Sequence, residues 1–174
     1  AAGTGPIKSL HRLEAEFRGL GVKVTALRAA YFLENWGGVL PVAKAQGVLP
    51  AFIALDRRIP MVATADIGRA AAEALLSPPA EAWRTIELSG AADLSPNDIA
   101  AAVSERLGRG VPAVAVPREA WEGTLTGAGL SADAARQFAE MFEGIDSGHV
   151  AFDGTGTPQR GATDFKALLG ALLG

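Results

Sequence analysis

The chain has 174 residues, 49% of them apolar and 20% charged, and a net charge of −3. That is the composition of a folded globular chain long enough to bury a substantial core, and its scattered basic residues exclude a nucleic-acid footprint. Cysteine is absent, which excludes disulfides and thiolate chemistry and fits a cytosolic protein. No apolar run approaches the ~18 residues of a membrane helix, no secretory signal stands at the start, and His11 and His149 are in no zinc-ligand spacing.

The opening AAGTGPIKSLHRLEAEF has no methionine and enters a helix almost at once, which fits a processed terminus or a chain that starts inside a domain. Ile7, Leu10, Leu13 and Phe17 keep spacings of three and four and predict an amphipathic helix, stopped by Gly19 and Gly21. VKVTALR, 22–28, predicts a strand, and 37–47 a short helix or loop. FIALDRRIPMVAT, 52–64, reads as two short strands around a turn at Asp56-Arg57-Arg58. ADIGRAAAEALL predicts a helix with Asp66 in its first turn, where free backbone N–H groups favour a negative charge, and Pro78 and Pro79 stop it.

RTIELSG, 84–90, is the next strand. In LSPNDIAAAVSERLGR, Ser95 caps, Pro96 takes the first helical position and Asp98 completes a capping box. VPAVAV, 111–116, predicts a strand; PREAWEGTL and SADAARQFAEMFEGI predict helices, the second capped by Ser131. A glycine-rich loop, FDGTGTPQRGATD, leads to a last helix, FKALLGALL. Strands separated by helices predict a parallel α/β sheet with a helical lobe late in the chain.

A dinucleotide fingerprint needs G-x-G-x-x-G between a strand and a helix, so that phosphate meets the helix N-terminus. GTGPIK, 3–8, has Lys8 where the third glycine belongs, and in GTGTPQRG, 154–161, the next glycine comes too late. The chain therefore shows no phosphate-binding turn of its own. Tyr-x-x-x-Lys is absent, because Asn35 stands four residues after Tyr31, the only tyrosine; G-x-S-x-G is absent too. The stretch RAAYFLENW, 28–36, stands out. Ligands of open parallel sheets lie outside the carboxyl ends of strands. There Ala29 and Ala30 permit close approach, Tyr31, Phe32 and Trp36 could stack on a flat ring, and Glu34 and Asn35 could bond its polar edge. The alternative is a strand exit that tucks its aromatics under the next helix.

LEAEFRGLGVKVTALRAAYFLENW resembles the middle of NmrA-like proteins, an atypical branch of the short-chain dehydrogenase/reductase superfamily. IPMVATADIGRAAAEALLSP, IELSGAADLSPNDIAAAVSERLGRGV and VPREAWEGTLTGAGLSADAARQFAEMFEGIDSG resemble the segments that follow there, in order. The resemblance implies an incomplete Rossmann-like parallel sheet, the second half of such a domain, with a C-terminal helical substrate lobe. The sheet-completing part would run over about 1–90 and the lobe over about 91–174. It also implies that the G-x-x-G-x-x-G turn gripping the NAD or NADP pyrophosphate belongs to a first half not seen here.

Carried over, the resemblance puts Tyr31, Phe32, Glu34 and Asn35 against the cofactor, and Trp36, Trp121 and Phe142 against the substrate, with Phe138 and Met141 in the covering lobe. Other members have a lysine early in the preceding helix; this chain has Leu10 and His11 there, with Lys8 nearby, which puts tyrosine/lysine chemistry in doubt. The implied activity is hydride transfer from NAD(P)H to a flat acceptor such as a quinone or azo compound. The alternatives are an NAD(P)-sensing regulator and a plain interaction module. The implied partners are a small-molecule substrate, no nucleic acid and no membrane, with a second copy possible at the VKVTALR sheet edge.

Overall fold

The computed structural model describes residues 4–173. Gly3, the first glycine of GTGPIK, lies outside the described residues. In chain order the elements are α1 (Ile7–Arg18), β1 (Val24–Ala29), β2 (Tyr31–Phe32), a 3-10 turn (Leu33–Gly38), α2 (Leu40–Gln46), β3 (Leu49–Ala51), β4 (Ile59–Val62) and α3 (Thr64–Leu76). Then come β5 (Trp83–Ser89), β6 (Asp93–Leu94), α4 (Pro96–Leu107), β7 (Ala113–Ala115), a 3-10 turn (Arg118–Ala120), α5 (Trp121–Gly127), α6 (Ala132–Ser147), β8 (Thr157–Arg160) and α7 (Phe165–Leu173).

The main sheet is parallel, in the order β1-β5-β8. A second sheet has the order β2-β4-β6, with β2 parallel and β6 antiparallel to β4, and β3 pairs with β7 in parallel. Two expectations fail. The strand placed at the start of FIALDRRIPMVAT lies earlier, at Leu49–Ala51, and pairs with β7 rather than with its neighbour in sequence. The loop FDGTGTPQRGATD contains β8, which returns to the main sheet beside β5. Nothing local in TPQR marks a strand; pairing to Ile86–Ser89 makes it one.

The core has two parts. The larger gathers Trp36, Leu40, Leu49, Met61, Ile99, Val103, Trp121, Phe142 and Leu169, each worth about 1.5–3 kcal/mol for a side chain of this kind. The smaller, Ala30, Val62, Ala70 and Leu88, pins α3 to the main sheet. The capping box of α4 is present as expected: Asp98 N–H donates to Ser95 Oγ, and Ser95 N–H to Asp98 Oδ2. Helix α1 is the exception to this packing. It is amphipathic, yet none of its residues is buried, and Leu10, Leu13 and Phe17 are 59%, 52% and 40% exposed. Strand β1 likewise has no fully buried residue and, among the described residues, pairs on one side only.

Both glycine-rich stretches are used for packing. Gly5 sits at φ +53°, and its bare Cα lies against the backbone of Gln137 on α6, where a Cβ would collide; Thr4 Oγ1 donates to Glu140 O at 3.1 Å. In the second stretch the N–H groups of Gly154 and Gly156 donate to Glu87 Oε1 at 3.1 and 3.4 Å, so a carboxylate of β5 holds the place an anion would take.

That strap is tied down by Arg28, which binds Glu14 twice at 2.8 Å and Asp153 at 3.1 Å. Glu14 is held below its usual pKa, chiefly by the hydrogen bond from Arg28. Asp153 is held well below the usual range, first by the Thr155 hydroxyl, then by the Thr155 N–H, and further by Arg28. Groups with depressed native pKa values bind fewer protons when folded, so their stabilisation is complete above the unfolded value and declines as pH falls through the native one. Stability is therefore expected to drop below about pH 4, and an Arg28→Met variant to show a shallower drop. Urea midpoints across acidic pH check it; parallel curves for the two proteins would contradict the assignment.

Candidate functional site

At Ala30 the chain leaves the main sheet. Its N–H donates to Leu88 O at 2.9 Å, and the next two residues pair instead with β4, Tyr31 opposite Met61 and Phe32 opposite Val62. RAAYFLENW thus stands at the carboxyl end of β1, where the sequence placed it. Strand alternation turns Tyr31 inward and leaves Phe32 40% exposed. The 3-10 turn then repeats every three residues, so Leu33 and Trp36 share the inward face while Asn35 is exposed.

The expected site residues divide accordingly. Phe32 and Asn35 face outward. Tyr31 is largely withdrawn: burial pushes its hydroxyl pKa up to about 12, against a smaller downward pull from a hydrogen bond with Asn35. It is a neutral hydroxyl with no lysine to activate it. Trp36 is 6% exposed, and its indole N–H points at Met61 Sδ, 3.4 Å away. Trp121 and Phe142 are 6% and 7% exposed and lie in the same core as Trp36, with Tyr31 packed against it. Phe52, which carries no sequence signal, joins them: its ring stacks on Phe142 at 5.1 Å and meets Trp121 edge-on at 6.3 Å. Phe138 stands at the rim of this cluster, tilted against Phe142 at 6.3 Å, and Met141 packs on the core. Trp36, Trp121 and Phe142 therefore back the ledge from within rather than line its surface.

Glu34 has a structural task. Helix α3 begins after Ala63, which has no side chain to cap it. Glu34 Oε1 supplies the missing acceptor, taking the Thr64 N–H at 2.8 Å and the Thr64 hydroxyl at 2.6 Å. Glu34 Oε2 is buried with no hydrogen-bond partner among the described residues. The ledge and the helix of the Asp-Ile-Gly segment are thus joined through one carboxylate. Sequence reasoning missed Thr64; no spacing rule links a helix start to a glutamate thirty residues earlier.

A cavity of about 130 Å³ lies between α3 and β8, among Asp66, Arg69, Glu73 and Arg160. One of about 470 Å³ lies at the opposite end of β5, among Pro78, Trp83, Arg84, Thr85 and Thr157. Neither includes a ledge residue. Among the described residues no helix is long and apolar enough to cross a membrane.

Comparison with solved structures identifies the fold. An NADPH-dependent quinone oxidoreductase from Escherichia coli superposes with a TM-score of 0.80 at 22% identity, over 99% of this chain and 63% of that one. A nucleoside-diphosphate-sugar epimerase from Staphylococcus aureus gives 0.62 at 19% identity, over 97% and 57%. The leucoanthocyanidin reductase–NADPH complex from Vitis vinifera gives 0.57 at 14% identity, over 96% and 59%. The chain therefore has a Rossmann-like α/β fold and spans about 63% of the length of the first of these structures. No curated protein matches it. A sequence match over residues 8–156 takes in β1, β5, the aromatic–Glu–Asn exit and the capped Asp-Ile-Gly helix: the chain belongs to the NmrA-like family.

Proposed function

We propose that this chain forms the nicotinamide-facing and acceptor-facing side of an NAD(P)H-dependent oxidoreductase that reduces a flat acceptor such as a quinone or azo compound. The observation that carries this reading is the ledge: exposed Phe32 and Asn35, with Tyr31 beside them, at the carboxyl end of a parallel strand. The residues fit a planar ring with an amide edge. Phe32 offers a face for stacking, Asn35 a donor and an acceptor, and Ala29 and Ala30 leave room for close approach. The bound dinucleotide would supply the hydride. What the chain contributes is position, and a water-poor floor built from Trp36, Trp121, Phe142 and Phe52.

No described residue offers a phosphate-gripping turn, since the amides of Gly154 and Gly156 are spent on Glu87. In this reading the pyrophosphate is held by polypeptide beyond residues 4–173, and the 174-residue chain alone binds NADPH weakly. Micromolar binding to this chain in calorimetry would overturn that part. The activity is tested by NADPH oxidation with the full-length gene product and a panel of quinones and azo dyes. Turnover of any acceptor supports the enzyme; tight binding without turnover supports a redox sensor, which the missing lysine partner of Tyr31 favours. Because burial raises the Tyr31 pKa to about 12, its hydroxyl is a weak proton donor at neutral pH, and Tyr31→Phe should change kcat by less than about threefold, where loss of a general acid costs about 100-fold or more.

A further inference from the structure

The 3-10 turn Leu33–Gly38 has three faces, because side chains three apart in such a helix eclipse one another. Leu33 and Trp36 are buried on the first, Glu34 and Gly37 are half-buried on the second, and Asn35 and Gly38 are exposed on the third. The first face sits in the core, which fixes how deep the turn lies. Apolar burial is not directional, so it leaves the turn free to roll about its own axis. The second face settles the roll. Leu172 of α7 lies beside Gly37, and the Glu34 carboxylate is bound to Thr64 at the start of α3.

The resemblance to other family members puts Glu34 against the cofactor, yet neither of its oxygens is offered at the surface. Oε1 accepts both the N–H and the hydroxyl of Thr64, and Oε2 is buried. The bonds are charge-assisted and directional, at a helix end that favours an anion. Helix α3 does not need so distant a partner. Ala63 has the extended backbone of an N-cap residue, and a serine or aspartate there would serve the helix locally. A carboxylate sent from residue 34 does what a local cap cannot: it ties the turn to the helix.

We propose that Glu34 and Thr64 are a positioning pair: their bonds set the roll of the turn, so that Asn35 and the neighbouring Phe32 are aimed at the nicotinamide ring before it arrives, and neither member of the pair touches the cofactor. This rests on the nicotinamide-facing reading of the ledge. A turn released from Thr64 must be ordered when the ring binds, and the apparent affinity falls by the fraction of time the turn is correctly placed. Once the ring is bound the ledge is the same, so the chemical step is untouched.

Thr64→Val tests the pair. Thr64 is exposed, and valine keeps its shape and its N–H while removing the hydroxyl bond. In the cofactor-free protein the amides of the 3-10 turn should exchange several-fold faster. The KM for NADPH should rise about five- to tenfold with kcat changed less than about twofold, the sign of lost binding rather than lost chemistry. Where the protein binds NADPH without turnover, its Kd takes the place of KM. Thr64→Ser should restore both readouts, and Thr64→Val combined with Glu34→Gln should be no worse than Glu34→Gln alone. Ser95→Ala, which breaks the capping box of α4, should move neither.

A parent protein that neither binds nor oxidises NADPH contradicts the reading of the ledge and takes the pair with it. A parent that binds NADPH, with a Thr64→Val variant that binds equally well or exchanges no faster in the turn, overturns the pair alone. Loss of affinity in Glu34→Gln but not in Thr64→Val would make Glu34 a direct contact. An equal loss in Thr64→Ser or Ser95→Ala would make the effect one of stability and not of position.

Discussion

Gly90→Ala is expected to cost about 3 kcal/mol of stability and to disturb the ledge with it. Gly90 directly follows β5 where the main sheet meets β4, and its N–H donates to Met61 O at 2.7 Å. A Cβ there would collide with that oxygen and lie 3.2 Å from Met61 C and 3.3 Å from Val62 Cα, all of them backbone atoms. Met61 is 1% exposed, receives the Trp36 indole N–H and is paired with Tyr31, so it has nowhere to retreat. The strain must push β4, and β2 with it, away from β5. Urea unfolding should show a lower midpoint with little change in slope, and native tryptophan emission should shift as Trp36 loses its neighbour. A midpoint near that of the parent protein would mean that the two sheets are not locked together at this point.

Asp66→Ala is expected to be nearly as damaging, by about 2–3 kcal/mol, and to act on the other end of the chain. Asp66 is 3% exposed. Its Oδ2 accepts the Thr163 N–H at 3.0 Å, its Oδ1 takes the Arg69 guanidinium, and Gly161 passes so close that a Cβ there would sit 2.7 Å from Asp66 Cβ. Alanine would leave the Thr163 N–H without its acceptor and a gap under Gly161. The visible result should be local as well as global: the connection from β8 to α7 should exchange amide hydrogens faster and become a site of proteolysis. Asp66→Asn keeps an oxygen for Thr163 and should recover part of the loss. If alanine and asparagine behave alike and both leave the 161–164 segment protected, Asp66 does not hold the segment.

Sequence reasoning located what depends on neighbours along the chain. The α1 stripe, the Ser95–Asp98 box, the Ser131 cap and the helix following Ile-Pro-Met-Val all rest on contacts within one or two turns, and all are present. The position of RAAYFLENW at a strand end was legible for the same reason. The strand β8 was not. Its residues have no strand pattern, and the glycines around it serve Glu87, sixty-nine residues earlier in one case. Nor does periodicity reveal that Phe52 would stack on Phe142 or that Glu34 would cap α3, because those partners meet only after the sheets have formed.

The chain's own order of residues therefore determined its α/β class, its helix ends and the cluster of aromatics beside Glu34 and Asn35, through short-range sterics and hydrogen bonding. Tertiary structure alone decided which of those side chains face out. The switch from the main sheet to β4 at Ala30, followed by a three-residue helical repeat, turns Trp36 into the core and leaves Phe32 and Asn35 at the surface. Inward or outward is set by which strand a residue pairs with, and that partner lies thirty residues away.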